Sequence, residues 1–294
     1  MNYFYIIGNG YIANAHYQAI LNNNGIIKAV YDPIPRGNID NYDIETKYFV
    51  NKKEFFKFLE KDINFSSSYR HYVVILTPNY LHYKYMVEAV NYCDVICEKP
   101  LVLNYKDYSK IMDYVIKLNE DGIKRNIYQI AQLRTYNVDN LKYLIASNNV
   151  NNIGIDYFIA RGDWYNYSWK ADKNKSGGIL YNIGVHPIDF IIYALGIPDM
   201  QEVIKIEDKD AVLKFRYIPE RLNVDLHISI RNYTASRAYY LYKNDELIAT
   251  DNLVLANKHT DVYKDILTEC EKSKFNIKYF NKTYQILGGL KWKK

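Results

Sequence analysis

Residues 8–13, Gly8-Asn9-Gly10-Tyr11-Ile12-Ala13, constrain the fold more than any other stretch. They follow a short apolar run, Tyr3–Ile7, that reads as a buried strand. They open a segment, Tyr11–Asn22, with Ile12, His16, Ala19 and Ile20 at helical spacing. A Gly-x-Gly-x-x-Ala turn between strand and helix has a specific use. The first glycine permits the tight turn. The second lets the main chain approach a pyrophosphate at the helix N-terminus. The alanine allows close helix–strand packing. Asp32 stands 22 residues after Gly10, at the end of a second strand, Ile26–Tyr31, where a carboxylate meets ribose hydroxyls. That carboxylate repels a 2′-phosphate, so NAD is favoured over NADP. Arg36 weighs slightly the other way.

The grammar continues as strand and helix in alternation. Helical segments are Lys52–Lys61, with Phe55, Phe56 and Leu59 inward, then Leu81–Asn91 and Tyr105–Asn119. Strands are Tyr72–Leu76 and Asp94–Cys97. This pattern implies βαβ units and a parallel sheet. Beyond about residue 125 it changes. Ile127–Leu133 reads as a strand, Val138–Ala146 as a helix, Ile153–Arg161 as a strand and Leu180–Leu195 as a helix. Strands then come in succession: Glu202–Ile206, Ala211–Tyr217, Asn223–Arg231, Ala238–Tyr242 and Glu246–Thr250. Such a run suggests an antiparallel sheet. Helices near Thr260–Cys270 and Ile277–Leu287 follow. The fold class is α/β: a nucleotide-binding domain over 1–122 and an α+β domain over 123–294, whose last helix can pack back on the first.

Composition excludes several functions. Among 294 residues, 38 basic and 33 acidic side chains give a net charge of +5, too even for a nucleic-acid surface but tolerant of an anionic ligand. The basic tract Lys291-Trp292-Lys293-Lys294 reads as a solvated tail. Three cysteines, Cys93, Cys97 and Cys270, lack Cys-x-x-Cys spacing, which argues for a reducing compartment and against a disulfide frame or metal site. The start lacks a charged n-region, and no apolar run is expected to reach membrane-spanning length. A cytoplasmic protein without a membrane partner is expected.

Two strand ends and one helix carry the chemistry. Thr77-Pro78-Asn79 and Glu98-Lys99-Pro100 each end a strand, where open parallel sheets bind ligands. A lysine leaving the sheet there can donate to a substrate oxygen and stabilise developing charge. Glu98 can orient Lys99 or bond the nicotinamide ribose. Gly8, Gly10, Tyr11 and Ile12 are candidate cofactor contacts, with Asp32, Thr77, Asn79, Glu98 and Lys99. His82 joins them, although by itself it reads as a packed or capping histidine. In Gly177–Asp189, a glycine pair precedes Asn182 and His186, four residues apart on one helix face, a plausible proton-transfer pair. Asp189 can buttress His186 or pair structurally. Between strand and helix lie Arg161, Trp164, Tyr165, Ser168, Trp169 and Lys170. Aromatic rings suit sugar faces or uracil, and cations suit a diphosphate or carboxylate.

In combination, Gly8–His16, Thr77–His82, Glu98–Leu101 and Gly177–Asp189 resemble the glucose–fructose oxidoreductase / inositol dehydrogenase / rhizopine-catabolism (Gfo/Idh/MocA) family over nearly the whole chain. The resemblance implies an N-terminal Rossmann domain and a C-terminal α/β domain. It also implies that the open, mainly antiparallel sheet forms a homodimer or homotetramer interface. It implies hydride transfer between NAD(P) and a sugar or cyclitol carbon, with Lys99 and His186 as catalytic pair. Arg161–Lys170, Lys175–Gly178 and His259–Tyr263 are similar to one subgroup, the UDP-N-acetylglucosaminuronic acid 3-dehydrogenases of surface-glycan biosynthesis. That likeness implies a sugar-nucleotide substrate, with Arg161, Trp164, Tyr165, Asn182 and His186 as contacts. Many family members carry Asp where this chain has Asn182. Asparagine supplies no charge to raise the histidine's basicity. The alternatives are an inositol or free-sugar dehydrogenase of the same fold and a catalytically silent NAD-binding regulator.

Overall fold

The structure is a computed structural model that describes residues 1–34, 45–255 and 258–290. Arg36 and the tail Lys291–Lys294 therefore lie outside the described residues. The chain divides into two units. Met1–Val102, Lys106–Ile130 and Ala256–Tyr279 make the first; Leu103–Tyr105, Ala131–Leu255 and Phe280–Lys294 make the second.

The first unit is built on a parallel sheet. Its strands are β1 (Asn2–Ile7), β2 (Gly25–Tyr31), β3 (Lys47–Phe49), β4 (Arg70–Ile75), β5 (Asp94–Cys97) and β6 (Ile127–Gln129). They lie in the order β3-β2-β1-β4-β5-β6. Phe4, Tyr5, Ile6 and Ile7 of β1 are wholly inaccessible. A central parallel strand is covered on both faces, which is why it reads as an unbroken apolar run. Helices α1 (Ala13–Asn22), α2 (Lys52–Phe65), α3 (Asn79–Ala89) and α4 (Tyr105–Glu120) link the strands. The α2 helix buries Phe55, Phe56 and Leu59, and the Asn51 side chain caps it by accepting the Lys53 and Glu54 N–H groups. The three-residue β3, too short for a periodic signal, is an element the sequence did not announce.

Register decides what meets at the sheet edge. Ile7 pairs with both Tyr31 and Ile75, Ile75 with Cys97, and Cys97 with Gln129. The strands end at one level, so Gly8, Asp32, Leu76-Thr77 and Glu98-Lys99 leave the sheet along its carboxyl edge. The order reverses at β1, the switch point where such sheets bind ligands.

The second unit holds a mixed sheet: β7 (Asn152–Ala160), β8 (Met200–Ile206), β9 (Asp210–Tyr217), β10 (Leu222–Arg231), β11 (Ser236–Lys243) and β12 (Glu246–Asn252). Their order is β12-β11-β7-β10-β9-β8. The β7–β10 pair is parallel and the other four are antiparallel. Along β9, Ala211, Leu213, Phe215 and Tyr217 are buried and their neighbours more accessible, the period of a sheet with one covered face. Helices α5 (Val138–Ser147), α6 (Lys173–Ser176) and α7 (Val185–Leu195) belong to this unit, as does α9 (Asn281–Gly289). The helix between, α8 (Lys258–Glu269), belongs to the first unit.

Three expectations change. The strand expected over 127–133 stops at Gln129. Ile130 closes the ladder with an N–H bond to the Cys97 carbonyl, and Gln132–Thr135 then turns as a 3₁₀ helix that buries Arg134. The helix expected over 180–195 opens as a π-helical turn, Leu180–Gly184, and becomes α-helical at Val185. An apolar run of spanning length does exist: the helical stretch Lys173–Leu195 is long and apolar enough to cross a membrane. Most of it is buried within the protein, as expected of a core helix apolar on all sides.

Candidate active site

The two glycines of the first loop differ in why they are glycine. Gly8 has φ +99°, and a Cβ there would sit 2.9 Å from the carbonyl carbon and oxygen of Leu76. The loop after β1 and the end of β4 touch through main chain. At Gly10 a Cβ would meet nothing within 4 Å. That face stays open beside the start of α1, which has no side-chain cap and no acidic residue in its first turn. The helix's first N–H groups thus suit an anion. Tyr11 is fully exposed on the loop and Ile12 is half-buried.

Asp32 is buried at the end of β2. Its Oδ2 accepts the Asn9 N–H at 2.7 Å and its Oδ1 accepts the Ile34 N–H at 2.9 Å. A carboxylate accepts about four hydrogen bonds, so these two main-chain bonds do not exhaust it. Tyr17 Oη donates to Asn9 Oδ1 at 2.8 Å, yet Asn9 Nδ2 is buried with no partner, as is Thr77 Oγ1. Buried polar atoms are rarely left so. Asn9 follows β1 and Thr77 follows β4, both at the carboxyl edge of the sheet. The residues present therefore fit a dinucleotide: glycine main chain and a helix start for pyrophosphate, Asp32 for ribose hydroxyls, and two orphaned polar groups on segments that leave the same sheet edge.

Glu98 is buried after β5. Its Oε1 accepts from His16 Nε2 at 2.9 Å and from His259 Nε2 at 3.4 Å, and its Oε2 accepts the Lys99 main-chain N–H at 3.1 Å. Burial alone would raise its pKa. The histidine hydrogen bonds outweigh that and hold it well below the ordinary 4.5. Complete burial lowers the pKa of His16, so it is neutral. With its proton on Nε2, His16 accepts the Tyr263 hydroxyl on Nδ1 at 2.9 Å. Lys99 is half-buried, and its peptide bond to Pro100 is cis. Asn79 is buried as the first residue of α3. His82 is wholly buried, and its ring nitrogens meet the carbonyl oxygens of Pro100 and Thr77 at 2.7 and 2.8 Å. It ties the two strand-end loops together. Both ring nitrogens are thus engaged by main-chain carbonyls.

In the second unit, Gly177 and Gly178 adopt φ +82° and +68° before the π-helical turn. Asn182 is buried there and its Nδ2 reaches Tyr165 Oη at 3.5 Å. His186 lies on the first turn of α7, its ring 6.0 Å from that of Tyr157 on β7. Gly184 lets this helix close on the sheet, since a Cβ would stand 2.9 Å from Ile228 Cδ1. Of the two readings of Asp189, the structure shows the structural one. Arg134 donates to both its oxygens, at 2.8 and 2.7 Å, and Thr283 Oγ1 donates at 2.7 Å. The Phe280 ring lies 3.5 Å from the Arg134 guanidinium carbon.

The loop of 161–170 separates its members. Trp164 is half-exposed, with the Lys170 ammonium 5.4 Å and the Arg161 guanidinium 6.0 Å from its ring, within cation–π range. Tyr165 is buried and donates to the Lys170 carbonyl at 3.0 Å, so it braces the loop rather than presenting an open stacking face. Sequence reasoning missed Arg134 and used His259 and Tyr263 only for the subgroup likeness, with no chemical role. The signal for the last two was their i, i+4 spacing on one helix face.

A parallel sheet with an open glycine loop at its switch point and an acidic residue after β2 defines a nicotinamide-dinucleotide-binding protein. This chain belongs to the Gfo/Idh/MocA family, and NAD is its cofactor. Residues 3–120 match the family's NAD-binding Rossmann fold and residues 142–218 its C-terminal alpha/beta domain. Among curated relatives, 2,7-anhydro-N-acetylneuraminate hydratase of Escherichia coli K12 is 30% identical over 68% of this chain and 51% of its own length. Glucose-6-phosphate 3-dehydrogenase of Bacillus subtilis 168 is 28% identical over 64% of this chain and 52% of its own. The match thus spans about half the length of these relatives. The WlbA (WbpB) dehydrogenase of Thermus thermophilus, solved with NAD and UDP-GlcNAcA and with NAD and alpha-ketoglutarate, is similar with a TM-score of 0.83. It is 25% identical, with 98% of this chain and 94% of that one covered.

Proposed function

We propose that this chain oxidises the C3 hydroxyl of a UDP-sugar of the UDP-N-acetylglucosaminuronic acid type to the 3-keto sugar, in making amino-sugar components of surface glycans. The supporting observation is the likeness, over nearly the full length of both chains, to a dehydrogenase solved with NAD and UDP-GlcNAcA. The Bacillus relative, by its name, oxidises a sugar at the same carbon.

NAD, when bound, supplies the hydride acceptor. Gly8, Gly10 and the start of α1 take its pyrophosphate, and Asp32 its ribose hydroxyls. His186 takes the proton of the C3 hydroxyl as the C3–H bond gives up hydride. Lys99 donates to a substrate oxygen and stabilises charge developing on it. Asn182 brings an amide that bonds a substrate hydroxyl without adding charge beside His186. Arg161 and Trp164 receive the diphosphate and a ring face. The domain of 1–122 serves the cofactor and that of 123–294 the sugar nucleotide. The protein works in the cytoplasm as a homodimer or homotetramer joined through the second sheet.

The test is turnover of UDP-N-acetylglucosaminuronate, glucose 6-phosphate, free hexoses and myo-inositol, read as NADH formed without α-ketoglutarate and as 3-keto sugar formed when α-ketoglutarate is added to take the hydride back from NADH. Turnover confined to the UDP-sugar is expected, and Lys99→Ala and His186→Ala each lower kcat by about a hundredfold or more. Turnover of inositol or a free sugar alone moves the substrate assignment. NADH binding with no turnover of any substrate returns the silent regulator, and full activity in Lys99→Ala removes the mechanism.

A further inference from the structure

The cluster around Glu98 is absorbed neither by cofactor binding nor by the proposed proton transfers. His16 from α1, Glu98 from the end of β5, and His259 and Tyr263 from α8 converge in the first unit. Each is buried. The bonds run in one direction, from Tyr263 O–H to His16 Nδ1 and from His16 Nε2–H to Glu98 Oε1, where His259 also donates. The other oxygen, Oε2, is left for the Lys99 N–H.

We propose that His259, Tyr263 and His16 are positioning residues for Lys99, acting through Glu98. This rests on the assignment of Lys99 to the reaction. Two donors on Oε1 keep Glu98 ionised and fix its plane, so that Oε2 faces the Lys99 main chain at the point where the chain leaves β5. A lysine side chain has four rotatable carbons and samples many rotamers. Anchoring its main chain narrows the ammonium's range, and misplacement by about 1 Å costs about a hundredfold in rate. The segment 258–269, remote in sequence from both parts matched to the family, thereby tunes the lysine.

The same three side chains, His16, Glu98 and His259, could ligate a divalent cation. The distances favour the hydrogen-bonded reading. Tetrahedral zinc, with bonds of about 2.0–2.1 Å, separates its ligand atoms by about 3.3 Å. His16 Nε2 and Glu98 Oε1 are only 2.9 Å apart, a hydrogen-bond distance.

The experiment compares His259→Leu, which removes the donor, with His259→Gln, which keeps an amide N–H, and Tyr263→Phe, which removes one hydroxyl. For each, kcat, the KM for the sugar nucleotide, the Kd for NADH and Tm are measured. His259→Leu lowers kcat by about tenfold or more, with Kd for NADH and KM within about twofold. His259→Gln restores most of kcat, and Tyr263→Phe falls between. A lower Tm with unchanged kcat in both His259→Leu and Tyr263→Phe overturns the proposal. So does one equivalent of zinc that is lost in His259→Leu. Lys99→Ala run alongside separates the two readings. If Lys99→Ala is fully active, the catalytic assignment falls and this proposal with it. If Lys99→Ala is inactive and His259→Leu is not, only the positioning role falls.

Discussion

Gly8→Ala and Gly10→Ala, two residues apart, should fail in opposite ways. At Gly8 the alanine must adopt φ +99°, which costs a non-glycine residue about 1–3 kcal/mol. Its Cβ would also stand 2.9 Å from the Leu76 carbonyl. That neighbour is main chain just after β4, held by the Leu76 N–H bond to the Ile7 carbonyl, so no flexible side chain can move aside. Overpacking of this kind adds about 1–3 kcal/mol. The sum, about 2–6 kcal/mol, is a large share of the roughly 5–15 kcal/mol that holds a domain together. At Gly10 neither penalty applies: its φ is not positive and the new Cβ meets nothing within 4 Å. Stability there should stay the same or rise by up to about 1 kcal/mol, because alanine restricts the unfolded chain. The methyl group instead occupies the face that the pyrophosphate approaches, and the Kd for NADH should rise by about tenfold or more. Urea unfolding followed by circular dichroism reads the first effect, and NADH fluorescence titration the second. Equal destabilisation by both variants, or wild-type NADH affinity in Gly10→Ala, would refute the reasoning.

Two other perturbations probe the buried charges. Asp189→Asn leaves the Arg134 guanidinium buried without its carboxylate and should destabilise by about 3–5 kcal/mol. The double variant Arg134→Met, Asp189→Leu recovers most of that loss, and a loss below about 1 kcal/mol for Asp189→Asn would show the pair to be dispensable. The second concerns acid. Folded His16 has its pKa lowered from 6.5, so below that pH the unfolded chain binds a proton that the folded chain refuses. Glu98, lowered from 4.5, acts in the same direction at lower pH. Unfolding free energy should therefore be level above about pH 6.5, decline below it and decline further below about 4.5. His82, its pKa also lowered from 6.5 by burial, adds to the upper part, so His16→Asn should reduce but not abolish that slope, and Glu98→Gln should reduce the lower part. A wild-type slope retained in both variants would place the acid sensitivity elsewhere.

Much of this protein is legible in order of sequence because the signals are local. A glycine turn between an apolar run and a helical period is written in consecutive letters, and so are the strand-end motifs of 77–79 and 98–100. The absence of helices announces the antiparallel pairing of β8 with β9, β9 with β10 and β11 with β12, but not that β7 lies between β10 and β11. Other features could not be read that way. Register makes β1, β2, β4 and β5 end together, and no single strand carries that information. The π-helical turn before His186 is invisible to a period-of-3.6 reading. Tyr165 and Trp164 are adjacent and chemically alike, yet one is buried and the other half-exposed.

Sequence by itself determined the fold class and the cofactor, because turn chemistry, hydrophobic period and the acid after β2 act over a few residues, and its motifs in combination carried the likeness to the family. Only the tertiary structure decided what the buried polar residues do. His16, Glu98 and His259 are separated by up to 243 positions yet share one carboxylate oxygen. Asp189 turned from a candidate buttress of His186 into the partner of Arg134. A buried charge must find its counterpart wherever the chain has brought one, and that choice is made by packing, not by sequence proximity.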